Sequence, residues 1–249
     1  LGAIRTLNRL EFAGETMRCA LNTLATVAPE WLQAHYQSEW LERYAVRVQE
    51  YRLPQGKAKR EAYAQIIGQD GLTLLEAIDA SDAPDWLRRI PALKTLRLAW
   101  FQQYTFSEAD TLRWRSDKES PPAHLRLESP YDPDVHYATK RQNHWIGYKV
   151  HLTETCDPDQ PRLITDVQTA TATQPDHKSL PPIHQKLQEK DILPTDHLVD
   201  RGYVNAGSLV QSRADFRINL VGPTRADTGW QSRAQNGFAA HSLPAAVMI

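Results

Sequence analysis

The residue best suited to chemistry in this chain lies in the segment His-Leu-Val-Asp-Arg-Gly-Tyr at residues 197–203. There the apolar pair Leu198 and Val199 runs into Asp200, and Gly202 follows two residues later. This pattern predicts a short buried strand that ends in a carboxylate, and α/β folds place their chemistry at the carboxyl ends of strands. Asp200 would then be a ligand for a hard divalent cation. The competing interpretation is a turn that opens on a solvated aspartate.

Two segments before Asp200 are predicted to supply the sheet that positions it. Residues 145–152 alternate with the period of a strand. One face carries Ile146, Tyr148, Val150 and Leu152, and the other carries Trp145, Gly147, Lys149 and His151. Residues 163–167 are the predicted partner strand, because the Asp- and Pro-rich stretch 157–161 forms a turn between the two.

The second half of the chain continues with alternating helices and strands. A helix is predicted from residue 179 or 180 to residue 190, and the strand that ends at Asp200 follows it. Asn205 can cap a further helix to residue 215, and residues 217–221 are predicted to form a last strand. This order of elements indicates an α/β or α+β core.

The first half of the chain is predicted to be helical. One helix carries an apolar stripe with spacings of three and four residues: Leu7, Leu10, Gly14, Met17, Leu21 and Leu24. A second stripe consists of Trp40, Tyr44, Val48 and Tyr51. Further helices are predicted over residues 57–67, closed by Gly68, over residues 72–78 after a turn, and over residues 92–104. Residues 115–129 are polar and contain prolines, which indicates a linker or an exposed loop.

Four short motifs follow one another along the second half. They are Ser-Pro-Tyr-Asp-Pro-Asp at 129–134, Tyr-Ala-Thr-Lys-Arg at 137–141, the strand at 145–152, and Asp-Arg-Gly-Tyr at 200–203. In this order and spacing they resemble bacterial insertion-sequence transposases of the DDE type. Residues 5–11, Arg-Thr-Leu-Asn-Arg-Leu-Glu, are similar to the stretch that follows the first catalytic strand in one branch of that family. The resemblance covers roughly residues 1–237.

The resemblance implies an α/β fold with an incomplete ribonuclease-H-like core and a large helical insertion. The implied organisation is a helical insertion subdomain at 1–114, a linker at 115–129, a portion of the catalytic core at 130–237 and a tail at 238–249 that does not match. The family uses three metal-binding carboxylates, Asp, Asp and Glu, and Asp200 matches the second. The first would precede Leu1 and the third would follow Ile249, so the chain is expected to be a fragment that a frameshift or an early stop could produce.

The implied activity is the cutting and rejoining of DNA at element ends, with two Mg²⁺ or Mn²⁺ ions. The implied partners are transposon-end DNA and further transposase subunits. Because only one carboxylate matches, the chain is expected to be inactive as given. A remnant that only binds DNA or partners is the first alternative. An unrelated metal-dependent nuclease that completes its site from Asp132 or Asp166 is the second.

Two groups of basic residues are candidate DNA contacts, since most protein–DNA hydrogen bonds go to the backbone. The first group is Lys140, Arg141 and Lys149, on or beside the first hairpin strand. The second is Arg88, Arg89, Lys94 and Arg97, in a stretch without acidic residues. For both groups an ordinary solvated face is the competing interpretation.

The composition restricts the class of protein. A chain of 249 residues with 41% hydrophobic and 24% charged residues suits one large or two small globular domains. The net charge of −1 excludes a uniformly basic nucleic-acid-binding surface, so DNA contacts must be local. Two cysteines exclude a disulfide framework, and no apolar run has the roughly 20 residues that span a membrane. We therefore expect no membrane partner and a location in the bacterial cytoplasm, at the nucleoid.

Overall fold

The computed structural model describes residues 7–140 and 142–223, and they belong to two compact units. The first unit is Leu1–Lys149 with Thr171–Thr173, and the second is Val150–Ala170 with Gln174–Ile249, each as far as it is described. The chain is a mixed α/β protein, as predicted. Within the described residues, no helix combines the length and the apolar character needed to cross a bilayer.

The first unit is mainly helical. Its helices are α1 (Arg9–Val27), α2 (Pro29–His35), α3 (Ser38–Tyr44), α4 (Lys57–Asp79) and α5 (Pro91–Gln103). Its strands are β1 (Tyr104–Phe106) and β2 (Leu112–Trp114), which form an antiparallel hairpin, and β3 (His136–Lys140), which pairs antiparallel with the first half of β4 (Asn143–Glu154). The β1–β2 hairpin was not predicted from the sequence.

Helix α1 forms the centre of this unit, and its predicted apolar stripe is confirmed. Asn8 caps it, because the Asn8 side chain accepts hydrogen bonds from the backbone N–H groups of Leu10 and Glu11, each at 3.0 Å. Leu10, Met17, Leu21 and Leu24 are buried, while Leu7 precedes the helix and packs half-buried against the same core. The burial of each large apolar side chain stabilises the folded state by about 1.5–3 kcal/mol.

Helix α4 corrects the prediction of two shorter helices separated by a turn. It runs without interruption through Gly68 and Gly71. A Cβ atom at Gly68 would lie 2.3 Å from the ring of Tyr104, and one at Gly71 would lie 2.1 Å from the ring of Trp100. The two glycines therefore let aromatic rings approach the helix backbone, and they do not end it.

The second predicted stripe belongs only in part to a helix. Helix α3 ends at Tyr44, and Trp40 and Tyr44 are its buried residues. Val48 is buried beyond the helix end, whereas Tyr51 lies in a 3-10 turn and is 75% exposed. The stripe prediction is therefore wrong for its last two members, because the chain leaves the helix before it reaches them.

The stretch predicted to be a linker is attached to the first unit. Gln102 binds it at two points: its Nε2 donates to the carbonyl of Leu125, and its Oε1 accepts from the N–H of Leu127, both at 2.9 Å. Leu127 is buried in the core. Asp117 accepts a hydrogen bond of 2.7 Å from Arg9. These contacts hold the stretch against α1 and α5.

The segment 129–134, which carries the first family motif, is attached to α1 through a buried carboxylate. Glu15 is fully buried, and Arg18 donates to both of its oxygens at 2.9 Å. The hydroxyl of Tyr131 donates to the same carboxylate. Burial alone would raise the pKa of Glu15, but the hydrogen bonds from Arg18, Tyr131 and Val48 outweigh it and lower the pKa.

The second unit has the alternating order that the sequence predicted. It contains the second half of β4, then β5 (Ile164–Thr171), α6 (Leu180–Glu189), β6 (Asp196–Leu198), α7 (Ala206–Phe216) and β7 (Asn219–Val221). β5 lies beside β4, and the N–H of Thr155 donates to the carbonyl of Leu163 at 3.0 Å, so the predicted hairpin is confirmed. β6 and β7 are parallel. Asn205 caps α7, as predicted, by accepting from the N–H of Ser208 at 2.9 Å.

The apolar face of β4 is its exposed face. Val150 and Leu152 are 49% and 61% exposed, whereas His151 on the opposite face is buried. In β5, Ile164 and Val167 are 62% and 52% exposed. Alternation was thus predicted correctly for β4, and within the described residues the face that is rich in apolar side chains has no layer packed over it.

Candidate functional site

Asp200 lies in a turn just beyond β6. The strand ends at Leu198, and the Asp200 carboxylate is exposed and accepts a hydrogen bond of 2.7 Å from the N–H of Gly202. Both interpretations of the sequence therefore describe part of the arrangement, because the carboxylate follows a strand end and also opens an Asp-x-Gly turn. The prediction that the strand is buried is wrong, since Leu198 is 60% exposed.

A second carboxylate approaches the same turn. A Cβ atom at Gly202 would lie 2.6 Å from Oδ2 of Asp176 and 3.0 Å from Oδ1 of Asp200. Only a glycine leaves room for both oxygens at this point. Asp176, in the 3-10 turn before α6, was not predicted to be a site residue, and an aspartate that follows Pro175 carries no distinctive sequence signal.

A chain of hydrogen bonds ties this turn to the interior of the second unit. The hydroxyl of Tyr203 bonds to Nδ1 of His151, and Nε2 of His151 lies 3.1 Å from Oγ of Ser179. Burial, together with the negative charges of Asp176 and Asp200, raises the pKa of Tyr203 to about 12. Tyr203 therefore keeps its proton at neutral pH and holds the turn against β4 and the start of α6.

A groove of about 700 Å³ lies beside β6. Its walls come from the end of β4 with the residues after it (152–157), from Leu187 and Ile192 near the end of α6, and from residues 196–198 of β6. Among the described strands, β6 pairs only with β7, and the pairing of β3 with β4 stops at Gly147. β6 therefore has one side on which no described strand pairs with it.

Two histidines form a pair under β6. Nε2 of His184 lies 2.9 Å from Nδ1 of His197, and the ring of Phe216 packs edge-on against His184. Burial, with a smaller contribution from His197, lowers the pKa of His184 to about 4, and burial lowers the pKa of His197 as well. Both rings are therefore neutral at pH 7, and the pair acts as a polar link between α6 and β6.

The two carboxylates considered as alternatives to a family site are engaged elsewhere. Asp132 accepts hydrogen bonds from the hydroxyl of Tyr148 at 2.9 and 2.8 Å and from the N–H of Asp134 at 3.1 Å, so it belongs to a turn. Asp166 is buried and lies 3.1 Å from Nζ of Lys190. Its other oxygen, Oδ2, is buried without a hydrogen-bond partner. Asp166 is thus a buried ion-pair residue in β5.

The predicted DNA contacts differ in how accessible they are. Lys140 is exposed at the end of β3, opposite Asn143 of β4, and Lys149 is half-buried in β4. Arg141 lies outside the described residues. In the second basic stretch, Arg97 donates to both oxygens of Asp79, at 2.6 and 2.7 Å, and Arg88 pairs with Asp85 and Asp79. Arg89, Lys94 and Arg97 are its exposed members, and of these Arg97 is paired with Asp79.

The residues around Asp200 do not fit a two-metal centre. Within residues 7–140 and 142–223, no group of three or more His, Cys, Asp or Glu side chains is arranged to hold a metal ion. Two divalent ions about 3.5–4 Å apart need more carboxylate oxygens than Asp200 and Asp176 supply. The residues that the structure describes therefore bring two carboxylates, those of Asp176 and Asp200, to the turn after β6. This is fewer than a two-metal centre requires.

We compared the chain with protein-family models, with curated proteins and with solved structures, and nothing matched. A function for this chain has to be inferred from the turn at Asp200, the groove beside β6 and the distribution of its charged side chains.

Proposed function

We propose that this chain is a portion of a DNA transposase of the DDE type, with an incomplete ribonuclease-H-like core in its second unit. The observation that carries the proposal is the place of Asp200 in the order of elements. Two antiparallel strands, β4 and β5, precede α6, the strand β6 and then Asp200. α7 and the parallel strand β7 follow. This is the order that the sequence pattern predicted for the second half of the chain, and in the proposed parent a first catalytic strand precedes it.

The groove beside β6 supports the same proposal. β6 pairs with β7 on one side, so a further strand placed in the groove could hydrogen-bond to its other side. The exposed side chains of Leu152 and Leu198 stand at this groove and would be covered by such a strand. In the parent transposase we assign this position to the first catalytic strand, which would bring its aspartate towards the turn that carries Asp200.

The parent enzyme would cut and rejoin DNA with Mg²⁺ or Mn²⁺, which stabilise the attacking and leaving oxygens. In this chain Asp200 is the residue that corresponds to a metal ligand. Because Asp200 and Asp176 are too few for a two-metal centre, we propose that the described part of this chain neither cuts nor joins DNA by itself.

Element-end DNA is the partner that we propose for the intact protein, together with a further transposase subunit, at the nucleoid of a bacterial cell. Lys140, on the exposed end of the β3–β4 hairpin, and Lys149 are the proposed phosphate contacts, with Arg141 beside them in sequence. Such contacts fix a protein on the DNA backbone without reading its sequence. Binding through so few lysines is expected to be weak and to decrease steeply with salt.

A non-catalytic remnant that binds DNA or a partner is the second candidate. The hydrogen bond from the Gly202 N–H to Asp200 favours it, because it gives this carboxylate a structural role in the turn. An unrelated nuclease is disfavoured, since Asp166 is paired with Lys190 and Asp132 with Tyr148.

Two experiments test the proposal. The first determines the genomic DNA on either side of the coding region. We expect an in-frame apolar strand with an aspartate upstream and a glutamate-containing continuation in another frame downstream. Unrelated flanking genes would contradict transposase parentage.

The second experiment measures gel shifts of a duplex at about 50 and 200 mM salt with K140Q/K149Q. A matched control, K59Q/K118Q, removes the same charge from exposed lysines elsewhere in the first unit. The first variant is expected to lose duplex binding and the control to retain it.

A further inference from the structure

A groove of about 520 Å³ in the first unit collects three arginine side chains. It lies between the end of α3 with the turn after it and the first half of α4. Arg43, Arg47 and Arg52 line it together with Tyr63, Val46 and Ile66. We call it the arginine groove. None of these residues belongs to the basic groups that the sequence indicated, because they are separated by apolar and acidic residues along the chain.

Each of the three arginines retains capacity to bind an anion. Asp70 accepts from Nε and Nη2 of Arg43, at 2.7 and 2.8 Å, which leaves the Nη1 group of Arg43 outside that pair. The carboxylate nearest to Arg47 is that of Glu15, at 3.9 Å, and Arg18 already donates to both of its oxygens. Arg47 therefore makes only a long contact with Glu15, and its guanidinium group lies 5.5 Å from the centre of the Tyr131 ring.

Arg52 is the most available of the three. Among the described residues it has no carboxylate partner, and its guanidinium group lies 6.0 Å from the ring of Tyr51 in a cation–π contact. Tyr51 is 75% exposed. An exposed arginine beside an exposed aromatic ring offers both charge and a flat surface to a ligand. Glu42 is the acidic residue in the lining, and Asp70 and Glu15 contact Arg43 and Arg47, so Arg52 is the guanidinium group that no described carboxylate pairs with.

The walls of the groove restrict the ligand further. Val46 and Ile66 are 48% and 46% exposed, and Tyr63 stands beside them. Guanidinium groups match the geometry of phosphate oxygens, while apolar and aromatic walls accept the faces of unstacked bases. A duplex would leave these walls unused because its base faces are stacked inside. An unpaired strand presents phosphates and base faces together.

We propose that the arginine groove binds an unpaired DNA strand, with phosphates on Arg47 and Arg52 and bases against Tyr63 and the apolar wall. That the nucleic acid is DNA rests on the proposed function. The groove would give the helical unit an affinity for single-stranded DNA that is separate from the duplex contacts assigned to Lys140 and Lys149.

The test is fluorescence anisotropy of a labelled oligo(dT) of about 15 nucleotides and of a duplex of the same length with the full chain. The groove variant is R47Q/R52Q, and the matched control is K57Q/K118Q, which removes the same charge from exposed residues of the first unit that do not line the groove. We expect the groove variant to bind oligo(dT) roughly tenfold more weakly at about 50 mM salt. Its salt slope should decrease by about 1.4, since each phosphate that an arginine no longer neutralises accounts for about 0.7. The control should change less than about twofold.

A third variant, R52K, keeps the positive charge but loses the planar, two-pronged donor geometry of the guanidinium group. Its affinity for oligo(dT) should lie between those of the wild type and R47Q/R52Q. Circular dichroism of each variant establishes that it is folded. An equal loss of affinity in K57Q/K118Q, unchanged binding by R47Q/R52Q, or tighter binding of duplex than of oligo(dT) would overturn the proposal. Unaltered duplex binding by K140Q/K149Q would count against the proposed function alone, so the two failures are distinguishable.

Discussion

The indole ring of Trp100 fills the space that a side chain at Gly71 would need. A Cβ atom there would lie 2.1 Å from Cε2 and Cζ2 of the ring, and the indole N–H donates to the carbonyl of Gly68 at 2.9 Å. The backbone of α4 is therefore in direct contact with the aromatic ring of Trp100 on α5. Glycine costs roughly 1 kcal/mol in a helix interior relative to alanine. The two buried rings against α4 offset that cost.

Gly71→Ala is expected to lower the free energy of unfolding by about 2–3 kcal/mol, because the added methyl group must displace the Trp100 ring. Urea denaturation followed by tryptophan fluorescence measures this. Gly207→Ala is the control, since Gly207 is exposed on α7 and its added Cβ would meet only Asn205 Oδ1, at 3.2 Å. A Gly71→Ala protein as stable as the wild type would show that α4 and α5 do not pack in this way.

Glu15→Gln is expected to destabilise the chain by about 3 kcal/mol. The substitution leaves the Arg18 guanidinium without its buried counter-charge, and removing one partner of a buried pair costs far more than removing an exposed one. Glu61→Gln is the matched control. Its carboxylate side chain is 59% exposed and lies 3.9 Å from Lys57, so the effect should stay within about 0.5 kcal/mol. Similar losses of stability in the two variants, measured by urea denaturation, would contradict the central role of Glu15.

Lower pH is expected to destabilise the second unit, because His184 is buried in its neutral form. Its pKa is about 4 in the folded chain and 6.5 in a solvated histidine, so between these pH values the unfolded chain binds a proton that the folded chain does not. Stability should therefore decrease as the pH falls from about 6.5 towards 4, by up to about 3 kcal/mol. His184→Gln removes this titration and should make the profile shallower, with the remaining slope due in part to His197, whose pKa burial also lowers, whereas His124→Gln, at an exposed position, should not change it. A wild-type profile that is flat across this range would exclude a buried neutral His184.

The purified chain is expected to be inert towards supercoiled plasmid in Mn²⁺, and Asp200→Ala should behave in the same way. The reason is that Asp200 and Asp176 cannot hold two metal ions. Agarose electrophoresis of the plasmid after incubation measures nicking. If the original chain nicks DNA and Asp200→Ala does not, another carboxylate completes the site, and the inactive-fragment proposal is wrong.

Local patterns in the sequence predicted the elements whose signals are local. The stripe of α1, the Asn205 cap of α7 and the β4–β5 hairpin depend on neighbouring residues, and the structure has all three. Gly68 and Gly71 misled the prediction of α4, because their role depends on the rings of Tyr104 and Trp100, which are distant in the sequence. A glycine inside a helical pattern is compatible with either a helix end or a close approach.

The candidate site was predictable only at Asp200. Asp176 reaches the same turn because Gly202 leaves space for both carboxylates, and only the tertiary structure places it there. The exposure of Leu198 was not predictable either, because an apolar pair indicates burial without indicating which element provides the cover. The same limit applies to the side chains of the arginine groove, which meet across the end of one helix and the start of another.

The groove beside β6 contains a cysteine that can be labelled with a fluorescent dye. Cys156 is exposed and lines that groove, whereas Cys19 is half-buried and burial raises the pKa of its thiol. Thiolates, not thiols, react with maleimides, so at neutral pH a fluorescent maleimide should label Cys156 first. A single dye can thus be attached beside β6 without any mutation. Quenching or a spectral shift of that dye would then report in real time the binding of a peptide, such as the proposed missing strand, in this groove.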